Sequence, residues 1–137
     1  MCKNYKSPDF NIWVMSKESK SLGEKGETIA ATYLAEEGYE ILERNWRWKK
    51  AEIDLICRKD DGLILVEVKT RSYEYFGAPD SFVTEKQSAM LLDAGSQYGE
   101  AIGHEWSIQI DIIAIVINTD GGHTLRHVRD VYFPAFE

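Results

Sequence analysis

Apolar residues in this chain recur with two different periods, and the switches between them mark out the elements. Between residues 21 and 37, Ile29, Ala30, Tyr33 and Leu34 fall at the i, i+4 spacing of one helical face. Gly38 stands where a helix end takes a left-handed residue. Three strands are predicted next, about 39–48, 52–59 and 63–71, the last two joined by the tight turn Asp60-Asp61-Gly62. Residues 73–83, with Gly77 and Pro79, read as a loop. A second helix is predicted over 84–98, with Thr84 as N-cap and Gln87 three residues on, a permitted form of the capping box. The stretch 108–118 is dominated by β-branched residues and is the strongest strand signal. Asp120-Gly121-Gly122 turns it into a last strand, about 123–131. The order α-β-β-β-α-β-β predicts an α/β fold. Residues 1–19 lack a period and contain Pro8, and are expected as a loosely ordered N-terminal arm whose Phe10, Ile12, Trp13, Val14 and Met15 can dock as one short helix or strand. Residues 20–137 are expected to form a single domain.

Three charged positions interrupt the apolar runs. In Leu65-Val66-Glu67-Val68-Lys69 the alternation of a strand puts Glu67 and Lys69 on one face, with Val66 and Val68 directed into the core. Asp54, in Ala51-Glu52-Ile53-Asp54-Leu55-Ile56, is brought beside them if the two strands form a hairpin. Two carboxylates and one ammonium group on a sheet surface can hold a hard divalent cation and orient a water. They can equally form a salt bridge worth ~0.2–1 kcal/mol. The flanking residues look buried on both faces, where charge is costly without a partner or a task, and this favours the chemical reading.

Gly23-Glu24-Lys25-Gly26-Glu27, Arg44-Asn45, Glu52-Ile53-Asp54-Leu55-Ile56, Val66-Glu67-Val68-Lys69-Thr70-Arg71 and Phe76-Gly77 occur in an ordered set that resembles the YraN-like family of small bacterial proteins. The resemblance runs from about Lys20 to the C-terminus, and it extends to the wider PD-(D/E)XK nuclease superfamily. Ala51 departs from the glycine usual at that position. The resemblance implies a restriction-endonuclease-like αβββαβ core, a mixed central sheet flanked by helices. It also implies a metal-dependent endonuclease using Mg²⁺ or Mn²⁺. Asp54, Glu67 and the Val68 carbonyl would then be metal ligands, and Lys69 would orient the attacking water or stabilise charge on the phosphorane. Glu27 would join the site as a helix glutamate does in some related resolvases, although a helix-surface Glu is more often simply solvated.

A net charge of −7 opposes generic nucleic-acid binding, but part of that acid would belong to a metal site. The segment Arg44-Asn45-Trp46-Arg47-Trp48-Lys49-Lys50 gathers cations and indoles immediately before Asp54, a composition suited to phosphate contact and base stacking. The alternative places both tryptophans in the core with the cations as a solvated rim. Arg71 joins the basic set, and Lys86 with Gln87, at the start of the second helix, can hold a phosphate. Glu52 is expected on the face of Asp54, backing the site or pairing with Arg71. Asp111, in an apolar strand, needs a structural partner such as an arginine or a backbone amide. His104, His123 and His127 have neither triad nor zinc spacing and receive no role.

Cys2 and Cys57 have no neighbouring Cys or His at ligand spacing and are expected as free thiols in a reducing, cytoplasmic setting. No apolar run reaches the ~20 residues of a membrane span, and the first residues lack the apolar segment of a secretory signal. With no recognition domain at this length, the expected substrate is branched, flapped or damaged DNA, contacted through phosphate and shape. A homodimer would supply two sites for two strands. The rival functions are a non-catalytic nucleic-acid-binding or scaffold module that retains the fold, and a hydrolase of small phosphoesters.

Overall fold

A computed structural model describes residues 8–72, 85–104 and 107–131, with side chains from residue 21 onward. The elements are α1 (Pro8–Glu36), β1 (Glu40–Trp48), β2 (Ala51–Lys59), β3 (Gly62–Ser72), α2 (Glu85–Ala101), β4 (Ile108–Ile117) and β5 (His123–Val128). The predicted order is present, and the sheet keeps it in space as β1-β2-β3-β4-β5. Neighbours are antiparallel except β3 and β4, which run parallel. A parallel pair needs a crossover, and α2 lies in that connection. The result is a mixed sheet with one helix on each face, the α/β architecture expected from the sequence. The predicted loop 73–83 and the Thr84 cap lie outside the described residues.

Helix α1 ends as the sequence predicts. Gly38 takes φ 92°, its amide donates to the Ala35 carbonyl, and the Tyr39 amide donates to Leu34 at 2.9 Å. This is the paired closure that satisfies orphan carbonyls at a helix end. The start differs from expectation, since the helix extends back to Pro8 instead of beginning near Ser21 or Gly23. Proline is tolerated in a first turn, and of the two interior glycines, Gly23 and Gly26, the second has a packing cause. A Cβ on Gly26 would overlap Thr70 of β3, so only glycine lets the helix lie on the strand there. Gly95 allows the same close approach of α2 to Leu65.

Each helix covers its own core layer. Ala30 and Leu34 of α1, one turn apart, pack with Leu55, Cys57, Ile64, Val66, Val68, Ile113 and Ile115. Leu91, Ala94 and Tyr98 of α2 pack with Ala51, Ile53, Ile56, Leu63, Leu65 and Ile110. In β3 the two sets alternate strictly. In β2 they do not: Ala51 and Ile53 face α2, whereas Leu55 and Cys57 face α1. The strand changes face at Asp54.

Candidate metal centre and nucleic-acid face

Strands β2 and β3 pair from Lys59↔Gly62 as far as Leu55↔Val66, where the ladder stops. Beyond that point β3 stays with β4 through Ser72↔Ile117, while β2 stays with β1 through Trp48↔Ala51. The sheet therefore forks, and the next residues on the two prongs are Asp54 and Glu67. The fork deprives the Val68 amide of a strand partner, and a buried amide needs an acceptor. Asp54 supplies it, accepting from Val68 N–H through Oδ2 at 2.8 Å. The same bond fixes the carboxylate at the mouth of the fork.

Glu67 and Lys69 emerge on the α2 face, and Val66 and Val68 enter the α1-side core, as alternation predicts. Glu67 is only 6% exposed. Its Oε2 lies 3.0 Å from Lys69 Nζ and accepts from Gln87 Nε2 of α2 at 3.3 Å. Burial pushes the Asp54 carboxyl up to about 8, and the Glu67 charge adds to the rise. The Val68 amide lowers it, Glu27 raises it further and Lys69 lowers it. Glu27 is itself raised by burial, against a hydrogen bond from Asn45 and the charge of Arg44. The structure thus brings Asp54, Glu67, Val68 and Lys69 together and sets Glu27 within their electrostatic field.

These residues offer two neighbouring carboxylates, with Asp54 raised by burial and by the Glu67 charge, a donor set that a hard cation would relieve. Among the described residues no group of three His, Cys, Asp or Glu gathers as a metal cage. Mg²⁺ does not require one, because it takes one or two protein carboxylates and keeps several waters. The donors fit that ion.

One residue of this region was given no role from sequence. Asn45 holds Glu27, and its φ of 54° belongs to a region that asparagine tolerates better than most residues. The signal was present in the Arg44-Asn45 pair, read there only as part of a motif. Gln87, expected at a phosphate, donates to Glu67. Glu52 pairs with Arg47 at 3.5 Å, and its charge adds to the rise of the Glu27 carboxyl. Arg71 donates to the Thr70 carbonyl at 2.9 Å.

The remaining basic residues line the same end of the sheet. Arg44 and Arg47 are exposed on β1, Lys49 and Lys50 form the turn into β2, and Lys86 is exposed in the first turn of α2. The tryptophans divide between the two readings. Trp46 packs edge-on against Tyr98, centroids 5.2 Å apart, and belongs to the core margin. Trp48 is half-buried, with the Lys49 ammonium 4.4 Å from its ring centroid.

Asp111 is fully buried in β4, in register with Val66 of β3. Burial would raise its carboxyl, but hydrogen bonds from His127, the Asp130 amide and Gln109 hold it below the usual carboxylate range. The His127 Nε2 contact measures 2.7 Å, and its Nδ1 meets Tyr33 Oη at 2.9 Å. The backbone-amide partner was expected; the histidine was not. Cys57 is a buried free thiol, pushed up to about 12 by burial. No helix among the described residues is long and apolar enough to cross a membrane.

A five-stranded mixed sheet between two helices, forked where Asp54 and Glu67 meet, is consistent with the restriction-endonuclease-like core. The chain belongs to Uncharacterised protein family UPF0102, whose model matches residues 26–115. It is 43% identical over 116 residues to a UPF0102 protein of Christiangramia forsetii, covering 85% of this chain and 97% of that one. The corresponding protein of Flavobacterium johnsoniae is 38% identical over 120 residues, with the same coverage of 85% and 97%. That of Syntrophomonas wolfei is 36% identical over 115 residues, covering 83% and 99%. Among solved structures, Pyrococcus furiosus SfsA in complex with Ca²⁺ aligns with a TM-score of 0.37 at 15% identity. That alignment covers 84% of this chain but 65% of that protein's length, and it carries no argument about either.

Proposed function

We propose that the protein is a metal-dependent endonuclease that hydrolyses phosphodiester bonds in DNA, acting on branched, flapped or damaged structures in repair or recombination. The observation that carries this reading is the fork: it sets Asp54 and Glu67 on adjacent prongs, crowded enough that burial and mutual repulsion raise the Asp54 carboxyl to about 8. A purely structural acid pair would be better neutralised, since an uncompensated buried charge is costly. Asp54, Glu67 and the Val68 carbonyl would hold Mg²⁺ or Mn²⁺, which when bound supplies Lewis-acid charge and a more acidic water. Lys69, 3.0 Å from Glu67, would present its ammonium to the phosphoryl oxygens and stabilise the charge they gain. Glu27, its carboxyl raised by burial, would accept or return a proton at the mouth of the fork. Arg44, Arg47, Lys49, Lys50, Arg71 and Lys86 would hold the flanking phosphates.

The Glu67–Lys69 ion pair also favours a second reading, a nucleic-acid-binding module in which these charges only hold the strand ends together. Incubating pure protein with branched and linear DNAs in Mg²⁺, Mn²⁺ or EDTA decides between them. Metal-dependent cleavage that is lost in Asp54→Asn and Glu67→Gln supports the enzyme. Binding without cleavage across the whole panel supports the module and refutes the enzyme.

A further inference from the structure

We infer that the forked sheet holds a forked nucleic acid, whose two strands diverge at the carboxylates onto opposite faces of the sheet, one of them meeting Arg126 of β5; this rests on the nucleic-acid reading above. Paired residues of neighbouring strands point to the same face. Lys69 of β3 is in register with Ala114 of β4, and Ala114 with Arg126 of β5. Lys69 emerges on the α2 face, so Arg126 does too. Two strand spacings set the Lys69 and Arg126 positions ~10 Å apart, with only the methyl of Ala114 between them. Arg71 shares that face, two residues and ~6.6 Å beyond Lys69 along the strand.

Helix α2 leaves this row clear. Gln87 in its first turn donates to Glu67, and the helix then runs back over Leu65 at Gly95 and Leu63 at Gly99. Arg126 is exposed, and among the described residues it makes no ion pair or hydrogen bond. The strand that carries it is nevertheless firmly held. Alternation sends its neighbour His127 to the α1 face, where the imidazole meets the buried Asp111 at 2.7 Å and Tyr33 at 2.9 Å.

The arginines of the other prong face the opposite way. Arg44 is in register with Leu55 of the α1-side core, and its charge acts on Glu27 of α1. Arg47 is in register with Glu52 and pairs with it, and the Glu52 charge also reaches Glu27. Each prong thus carries cations on its own face, and Asp54 and Glu67 stand where the prongs part. In a chain of net charge −7, a phosphate backbone is held only where cations gather. A continuous duplex follows one face. Two strands that separate at the carboxylates can follow both.

Binding to a Y-shaped DNA with two unpaired arms is measured in EDTA, so that turnover plays no part. Arg126→Ala, which leaves the His127 clasp intact, should flatten the slope of log K against log salt by about 0.7, the contribution of one phosphate on a single strand. Arg126→Lys should keep the slope. The arms are told apart by replacing the phosphates next to the branch with uncharged methylphosphonates, one arm at a time. Neutralising one arm should abolish the effect of Arg126→Ala and spare that of Arg44→Ala; neutralising the other should do the reverse. A slope unchanged by Arg126→Ala overturns the β5 contact, and two variants that respond to the same arm overturn the divergence. A wild type that binds no DNA removes the nucleic-acid reading and this inference with it. A fork held as described but never cut in Mg²⁺ or Mn²⁺ leaves the inference standing and removes the enzyme.

Discussion

Replacing Asp54 by Asn should stabilise the metal-free protein, and only at high pH. The carboxyl is raised to about 8 by burial and by Glu67, against an ordinary value near 3.9. The folded state therefore binds the proton more tightly than the unfolded chain does. Stability from this group is complete below about pH 4 and is lost as pH rises towards about pH 8. The full gap sets a ceiling of about 6 kcal/mol. Asp54 keeps part of its surface in water, and solvent screening leaves about 2–3 kcal/mol of it. Asn has nearly the same shape, keeps an oxygen for the Val68 amide and carries no charge. For a chain of this size the gain corresponds to about 6–12 °C in melting midpoint. The assay is thermal unfolding followed by circular dichroism in EDTA, from about pH 4 to about pH 8. The two proteins should melt together at the low end and separate at the high end, with the variant ahead. Asp111 titrates with the opposite sign, but it is present in both proteins and cancels in the difference. Adding Mn²⁺ at ~100 times its Kd should then raise the wild type by about 2.7 kcal/mol and leave the variant unmoved. Parallel melting curves across the pH range, or an equal response to metal, would refute the crowded-carboxylate account.

Lys69→Ala should lose cleavage by ~10²-fold or more per folded molecule while still binding DNA in the presence of metal, since its charge acts on the transition state; single-turnover kinetics beside a filter-binding titration checks this. Arg47→Ala with Lys49→Ala should flatten the slope of log K against log salt by about 1–2 units, with little change in melting, because both side chains are exposed. A change outside the fork should behave differently: His127→Ala strips the fully buried Asp111 of its 2.7 Å partner and should cost about 3 kcal/mol in urea unfolding. Its metal-induced melting shift should match the wild type, because the clasp it breaks is not part of the fork.

Much of the fold was legible because its signals are local. Alternation along 63–71, the Asp60-Asp61-Gly62 turn and the glycine closing α1 each depend on neighbours in sequence, and each appears as expected. The pairing of Asp54 with Glu67 was legible for the same reason, since a hairpin of known turn fixes its own register. What escaped depends on contacts between distant segments. The role of Gly26 was not legible, because its reason for being there is Thr70, 44 residues further on. The change of face along β2 gave no signal, because strict alternation holds only while a strand stays in its ladder, and β2 leaves β3 at Asp54. His127 gave no signal at all, since nothing near it in sequence announces that Asp111 and Tyr33 will lie on either side of it.

The bond from the Val68 amide to Asp54 gives the protein a native probe of its own chemistry. Most amides in a sheet report on the backbone opposite them; this one reports on a side chain whose charge is in question. Its proton and nitrogen resonances should therefore follow the state of the Asp54 carboxylate, moving with acid, with a bound cation and with an incoming phosphate. A spectroscopist needs no label beyond ¹⁵N to watch that single peak. Peaks from the far end of β3, near Gly62, should stay still under the same additions and serve as the internal reference.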